Sequence, residues 1–299
     1  MLFPIHPNDR KKVFVTKSVR ISRRSILRNI IWRNKSMKLT NEQIREFYHR
    51  GYIKIPGAVS RAIVDRARQA MNHSIGSTGP SKEDLANNRG GGGFGGDLRG
   101  SSVLSDLYHN SPIISLAESL LGEGNLKTPL ERISPAPRFP KHIDADPSEP
   151  MGHIDNMGNG RNGKPKGTYK RSFTCFGVIY LADVPEPYSG NFTVWSGSHH
   201  VYQDFLNKEG IEVLSKGQPR IPQPESPEMI TGEAGDLILA HFLVYHTAAP
   251  NVSPNIRYAT ISRMRHVDCE ENGNDCFTDI WREFSGVREV MGLNRESQM

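Results

Sequence analysis

His153 and Asp155 stand two residues apart in Gly-His-Ile-Asp-Asn-Met. An extended backbone would send both side chains from one face, where an imidazole nitrogen and a carboxylate oxygen could share a small cation. His246, in Tyr-His-Thr-Ala-Ala-Pro-Asn-Val-Ser, offers a third ligand from a distant part of the chain. Two histidines and one carboxylate, with the other positions open, form the donor set expected of a non-haem Fe(II) that activates oxygen. Arg257 lies eleven residues beyond His246 in Asn-Ile-Arg-Tyr-Ala-Thr-Ile-Ser. Its guanidinium could hold the far carboxylate of a dicarboxylic cosubstrate with two parallel hydrogen bonds. Taken singly these signals are weak. A lone His-x-Asp arises by chance, most single histidines are satisfied surface or core residues, and a strand arginine is commonly a surface ion pair. The joint pattern carries the weight.

Such residues need strands to hold them, and the sequence from about residue 126 onward supplies short β-rich runs. These cover 126–133, 172–182, 191–195, 227–231, 236–240, 243–247 and 257–265, separated by Gly, Pro and Asn. Strands at such intervals predict a mainly β fold with flanking helices, a double-stranded β-helix or jelly roll of cupin-like kind. Ahead of them, Thr40 and Gln43 read as a capping box for a helix over Asn41–Arg50 that Gly51 stops. A short strand follows at 52–56, and helices are expected at 60–73, 111–121, 199–208 and 278–290. The front helices should pack across one sheet. The glycine-rich stretch 76–100 lacks the Gly-Lys-Ser/Thr end of a phosphate-binding loop and reads as a surface loop or lid.

Whole-chain properties narrow the function classes. No apolar run approaches the roughly 20 residues that a membrane-spanning helix needs. The net charge of +6 invites a nucleic-acid reading, but residues 1–36 hold ten Lys or Arg against the single Asp9, leaving the remaining 263 residues at −3. The basicity belongs to the N-terminal extension, so no nucleic-acid partner is expected. That extension is read as disordered, targeting or upstream sequence, with Met37 a natural alternative start, and 37–299 as one catalytic domain. Cys175, Cys269 and Cys276 are sparse, odd in number and without a Cys-x-x-Cys pair, which fits reduced thiols in an intracellular compartment. The compartment expected is the cytoplasm, or the mitochondrion if 1–36 is a presequence.

The order His153-x-Asp155, then Gly190-Asn191-Phe192-Thr193-Val194-Trp195-Ser196-Gly197-Ser198-His199, then Gly235-Asp236-Leu237-Ile238-Leu239, then His246-x-x-x-Pro250-Asn251-x-Ser253-x-x-x-Arg257 resembles the phytanoyl-CoA dioxygenase family of Fe(II)/2-oxoglutarate oxygenases. The opening Leu39-Thr40-Asn41-Glu42-Gln43-Ile44, with Gly51-Tyr52-Ile53-Lys54-Ile55-Pro56-Gly57, resembles that family's usual start. The likeness spans about 38–266.

The resemblance implies that His153, Asp155 and His246 ligate Fe(II). Arg257 would bind the distal carboxylate of 2-oxoglutarate, helped by a hydroxyl from Ser253 or Thr193. His199, His200 and His241 compete as ligands, and His246 is preferred because Pro250, Asn251, Ser253 and Arg257 follow it at the family spacing. With O2 as second cosubstrate, the implied reaction hydroxylates an unactivated C–H bond and releases succinate and CO2. Related halogenases lack the carboxylate that Asp155 supplies, so hydroxylation is favoured over halogenation. The substrate is expected to be a small molecule, such as an acyl-CoA, a lipid-like compound or a secondary metabolite. Five basic residues in 161–171 (Arg161, Lys164, Lys166, Lys170, Arg171) form either a lid for an anionic substrate or a solvated polar loop. The alternatives are a cupin-like metalloprotein without redox chemistry and a catalytically silent jelly-roll binding module.

Overall fold

Thr40 caps the first helix as its sequence predicts: its hydroxyl accepts from the Gln43 N–H at 3.2 Å, and the Gln43 side chain returns the bond to the Thr40 N–H at 2.9 Å. The computed structural model describes residues 37–79, 98, 100–131, 133–141, 147–158 and 165–293. The N-terminal extension, most of the glycine-rich stretch and 161–164 of the basic insert lie outside the described residues. In chain order the elements are α1 (Asn41–Arg50), β1 (Tyr52–Ile55), α2 (Arg61–Thr78), α3 (Ser102–His109), α4 (Ile113–Leu121), β2 (Ile133–Pro135), β3 (Cys175–Tyr180) and β4 (Phe192–Val194). They continue with α5 (Ser198–Glu209), β5 (Glu228–Met229), β6 (Leu237–His241), β7 (His246–Ala248), β8 (Ala259–Met264) and α6 (Ser285–Met291).

Two antiparallel sheets face each other. The larger has the order β1-β6-β3-β8-β2 and the smaller β5-β4-β7. Every residue of β3 and β6 is buried, which explains why both read as continuous apolar runs instead of alternating ones. One face of the large sheet is covered by helices. Tyr108 of α3 reaches it with its hydroxyl, 3.3 Å from the Gly177 carbonyl and 3.1 Å from Thr260 Oγ1, and Phe47 of α1 packs edge-on to Trp281. The other face meets the small sheet, where Phe176 and Phe192 pack edge to face at 5.8 Å. This is the double-stranded β-helix expected from the strand spacing, with the front helices across one sheet.

Several boundaries differ from expectation. α2 runs on to Thr78, and α3 had no counterpart in the sequence reading. Of 126–133 only the end is strand: Leu126 makes an isolated bridge to His266, and Pro129 has no N–H to give a ladder. The helix expected over 278–290 is confined to Ser285–Met291, because Ile280, Trp281 and Phe284 turn individually into the core against α1 and His241. Gly286 then lets α6 settle on α4, since a Cβ there would lie 2.2 Å from the Ser119 carbonyl oxygen.

Candidate metal centre and its basic pocket

One rung of antiparallel pairing assembles the ligands. The His153 N–H donates to the His246 carbonyl at 2.9 Å, and the His246 N–H returns to His153 at 3.0 Å. Directly paired residues point their side chains to the same side, so the two imidazoles sit with centroids 4.6 Å apart. His153 is an isolated bridge rather than part of the strand that His-x-Asp spacing suggested, and Asp155 lies on the turn that follows. That turn is pinned on three sides. The Ile154 N–H donates to Gln218 at 2.8 Å, Asn156 Oδ1 accepts from the Ser172 N–H at 2.9 Å, and the Gly158 N–H donates to Thr168 at 2.7 Å. Asn156 adopts φ 73°, a left-handed conformation that asparagine tolerates.

The result places one donor atom from each of His153, Asp155 and His246 within 4.8 Å of one another. His246 is buried, and its Nδ1–H donates to the Val244 carbonyl at 2.9 Å, leaving Nε2 as the free lone pair. Burial, reinforced by neighbouring His153, pushes its pKa down to about 4, so the ring is neutral at physiological pH, as a ligand must be. Burial alone would raise the Asp155 carboxyl. The His153 hydrogen bond and the Arg263 guanidinium outweigh it and hold the group ionised, well below the usual carboxylate range. Asp155 Oδ1 lies 3.4 Å from His153 Nε2, while Oδ2 accepts from Arg263 Nε at 3.0 Å and Nη2 at 2.8 Å.

Arg257 and Arg263 arrive together. They are six residues apart on the extended run that leads from the Arg257–Arg138 bridge through β8, so with Ile261 they share the side that looks at the small sheet. All three line a cavity of about 250 Å³ with His153, Asp155 and His246. Arg257 is 6% exposed, and Nε and Nη1 each donate at 2.7 Å, to the Gly190 and Ala136 carbonyls. Among the described residues it has no carboxylate partner, and burial lowers its pKa to about 10. Gly190 makes the approach possible: at φ 74°, a Cβ there would lie 3.0 Å from Arg138 Cβ and 3.2 Å from Arg257 Cβ.

The structure does not bring Ser253 or Thr193 to this cavity. Thr193 on β4 points away from the face that carries Phe192, with its hydroxyl bonded to the Asn191 carbonyl at 3.2 Å. Ser253 closes its own turn, donating to Asn251 Oδ1 at 2.7 Å. The hydroxyl-bearing residue lining the cavity is Thr247, next to His246. His241 is no ligand: Nε2 donates to the Ile280 carbonyl at 3.1 Å and Nδ1 accepts from the Leu243 N–H at 3.1 Å. His199 and His200 both turn to the Tyr48 carbonyl. Within the basic insert, Lys166 and Lys170 are exposed, but Arg171 is buried and paired with Glu283, so it cannot belong to a lid. Arg263 was missed in the sequence. Its signal is its even spacing from Arg257, which places a charged residue on the inward face of a strand.

These features can be set beside known proteins. The sequence model of the phytanoyl-CoA dioxygenase (PhyH) family matches residues 47–259. The chain belongs to that family, which makes it an enzyme of the dioxygenase class and bears out the resemblance read from its motifs. Among curated proteins no relative matches the chain. Among solved structures it is similar to HygX from Streptomyces hygroscopicus with nickel and 2-oxoglutarate bound, at 17% identity over 77% of this chain and 88% of that one, with a TM-score of 0.49. It is also similar to SnoK, a non-haem alpha ketoglutarate dependent carbocyclase from nogalamycin biosynthesis, at 19% identity over 76% and 83%, TM-score 0.47. A third is the non-haem monooxygenase ThoJ in its nickel complex, at 14% identity over 75% and 77%, TM-score 0.49. Among the described residues no helix is long and apolar enough to cross a membrane.

Proposed function

We propose that the protein is an Fe(II)/2-oxoglutarate-dependent dioxygenase that hydroxylates an unactivated C–H bond of a small molecule. In this reading 2-oxoglutarate, O2 and R–H become succinate, CO2 and R–OH. His153, Asp155 and His246 would hold the iron, which supplies O2 activation and the oxidative decarboxylation. The donor set fits: two nitrogens and one ionised oxygen, with one imidazole already oriented by its backbone partner.

The observation that carries the cosubstrate assignment is Arg257. A buried guanidinium without an acidic partner is costly, and burial leaves its charge to be met by something that binds. It stands in the same cavity as the three ligands. A diacid held by iron at its keto-acid end and by Arg257 at the other would satisfy both. The chain's own part in the chemistry is therefore placement: the rung at His153 and His246 sets the ligand spacing, the Val244 carbonyl fixes a tautomer, and Gly190 admits the guanidinium.

Anaerobic addition of Fe(II) and 2-oxoglutarate should produce a visible metal-to-ligand charge-transfer band, and Arg257→Ala should abolish it at the same cosubstrate concentration while leaving Fe(II) binding intact. Absence of the band in the unaltered protein would overturn the reading. With oxygen admitted, succinate formation across a metabolite panel finds the substrate.

A further inference from the structure

The Asp155–Arg263 pair differs from an ordinary ion pair in how its donors are spent. A guanidinium fork normally meets a carboxylate with one donor on each oxygen. Here Nε and Nη2 both donate to Oδ2, at 3.0 and 2.8 Å, and Oδ1 is left facing His153 Nε2 at 3.4 Å. The side chains are not free surface groups either, with Asp155 13% and Arg263 37% exposed. Strand register delivers the guanidinium to this spot. Arg263 is paired across the large sheet with Phe176, whose ring lies 4.8 Å from that of His246, and the Arg263 guanidinium carbon sits 5.5 Å from the centre of the Phe173 ring. The aromatic support restricts where the fork can swing.

A ligating carboxylate has two ways to meet a cation, through one oxygen or through both. A turn residue such as Asp155, carried outside any ladder, has no backbone reason to choose. Taking both oxygens would fill a coordination position that a cosubstrate or O2 needs. We propose that Arg263 is a positioning residue of the metal centre: by capping Oδ2 it presents Oδ1 alone to the metal and keeps the remaining positions open. The inference rests on the metal-centre reading above, and it makes the extended run through β8 the source of two controls, Arg257 just before the strand for the cosubstrate and Arg263 within it for the ligand. In this proposal Arg263 acts through Asp155, whose Oδ2 it holds.

Co(II), whose visible spectrum reports coordination number, is the probe. It is titrated without cosubstrate into the unaltered protein, Arg263→Gln and Arg263→Lys, with thermal melts as a fold control and X-ray absorption on each Co(II) form. Arg263→Gln should alter the Co(II) spectrum, with a second oxygen from the carboxylate entering the shell, and move Co(II) affinity on the order of tenfold or more from that of the unaltered protein. Arg263→Lys, which keeps the charge but not the planar fork, should fall between. Unchanged Co(II) affinity and spectrum in Arg263→Gln overturns the proposal. Should that variant melt at the assay temperature, Arg263→Lys matching the unaltered protein in both readouts does the same. The two readings fail separately. If the unaltered protein takes up no Co(II), the metal centre itself is wrong; if it binds Co(II) and forms the Arg257-dependent band while Arg263 variants behave normally, only the positioning role falls.

Discussion

Arg257 shows how one buried charge can be specified by what surrounds it. Two of its donors are taken by the Gly190 and Ala136 carbonyls, which hold the group rigidly and neutralise none of its charge. Gly190 is therefore as much a part of the pocket as the arginine. Gly190→Ala should weaken 2-oxoglutarate binding at least tenfold with metal affinity unchanged, and should destabilise the fold by about 1–3 kcal/mol through its positive φ and the crowding against Arg138 and Arg257. Isothermal titration with and without Co(II) separates the two ligands; equal loss of both would place Gly190's role elsewhere. His153, Asp155, His246 and Arg257 were legible because each sits at a spacing that chemistry restricts. Ser253 and Thr193 were not, because a hydroxyl satisfies itself locally as readily as it reaches a ligand, and Thr247 has no spacing of its own to betray it. Arg263 was readable in principle, by carrying the strand parity six residues past Arg257.

At the scale of elements, the ligand segment around His153 is held by close approach. A Cβ at Gly152 would fall 2.6 Å from both Trp195 Cζ3 and Tyr245 Cε1, so only glycine lets the chain pass over that aromatic pair and meet β7. Gly152→Ala should lift His153 out of its rung and weaken divalent-metal binding on the order of tenfold or more, with little change in melting temperature. A Co(II) titration beside a thermal melt checks it, and unaltered affinity would mean that the segment can bend elsewhere. α1 was legible to the residue because its cap, apolar face and αL glycine agree with one another. β3 and β6 were legible as apolar runs bounded by turn residues. The break before α6 was not, since Ile280, Trp281, Phe284 and Val287 keep a helix-like spacing and tertiary packing overrides it. α3 follows directly on the glycine-rich stretch, whose loop signal masked the start of its apolar pattern.

Across the whole molecule, polar groups far apart in sequence meet in the interior. Arg171 and Glu283 are almost fully buried, and Thr174, Asn272 and the Cys269 carbonyl complete their bonding. No sequence pattern marks a pairing over 112 residues. A second such layer sets the response to acid. His199 and His241 lie fully buried among Phe47, Trp281 and Phe284. Burial holds both well below the ordinary histidine range, His241 at about 3. The unfolded chain would bind protons there from about pH 6.5 downward while the folded protein does not, so stability is unaffected above that range and falls below it, toward pH 3 for His241. The slope should approach about 1.4 kcal/mol per pH unit for each such histidine, read as a falling urea midpoint between about pH 7 and about pH 5. Saturating divalent metal should leave the shares owed to His199 and His241 in place, since neither ring faces the metal centre. A flat profile would show that these rings are solvated.

The meeting of His153 with His246 through a lone pair of amides has a bearing on how such enzymes diversify. The rung itself is two reciprocal bonds outside any long ladder, and its neighbours are held locally, by Gly152 over Trp195 and Tyr245 and by the pinned turn over 154–158. Stretches beyond that short held segment, before Gly152 and after Gly158, can grow, shrink or change chemistry without retuning the barrel. A lineage can thus acquire new substrates by rewriting those flanks while the reactive centre is inherited whole.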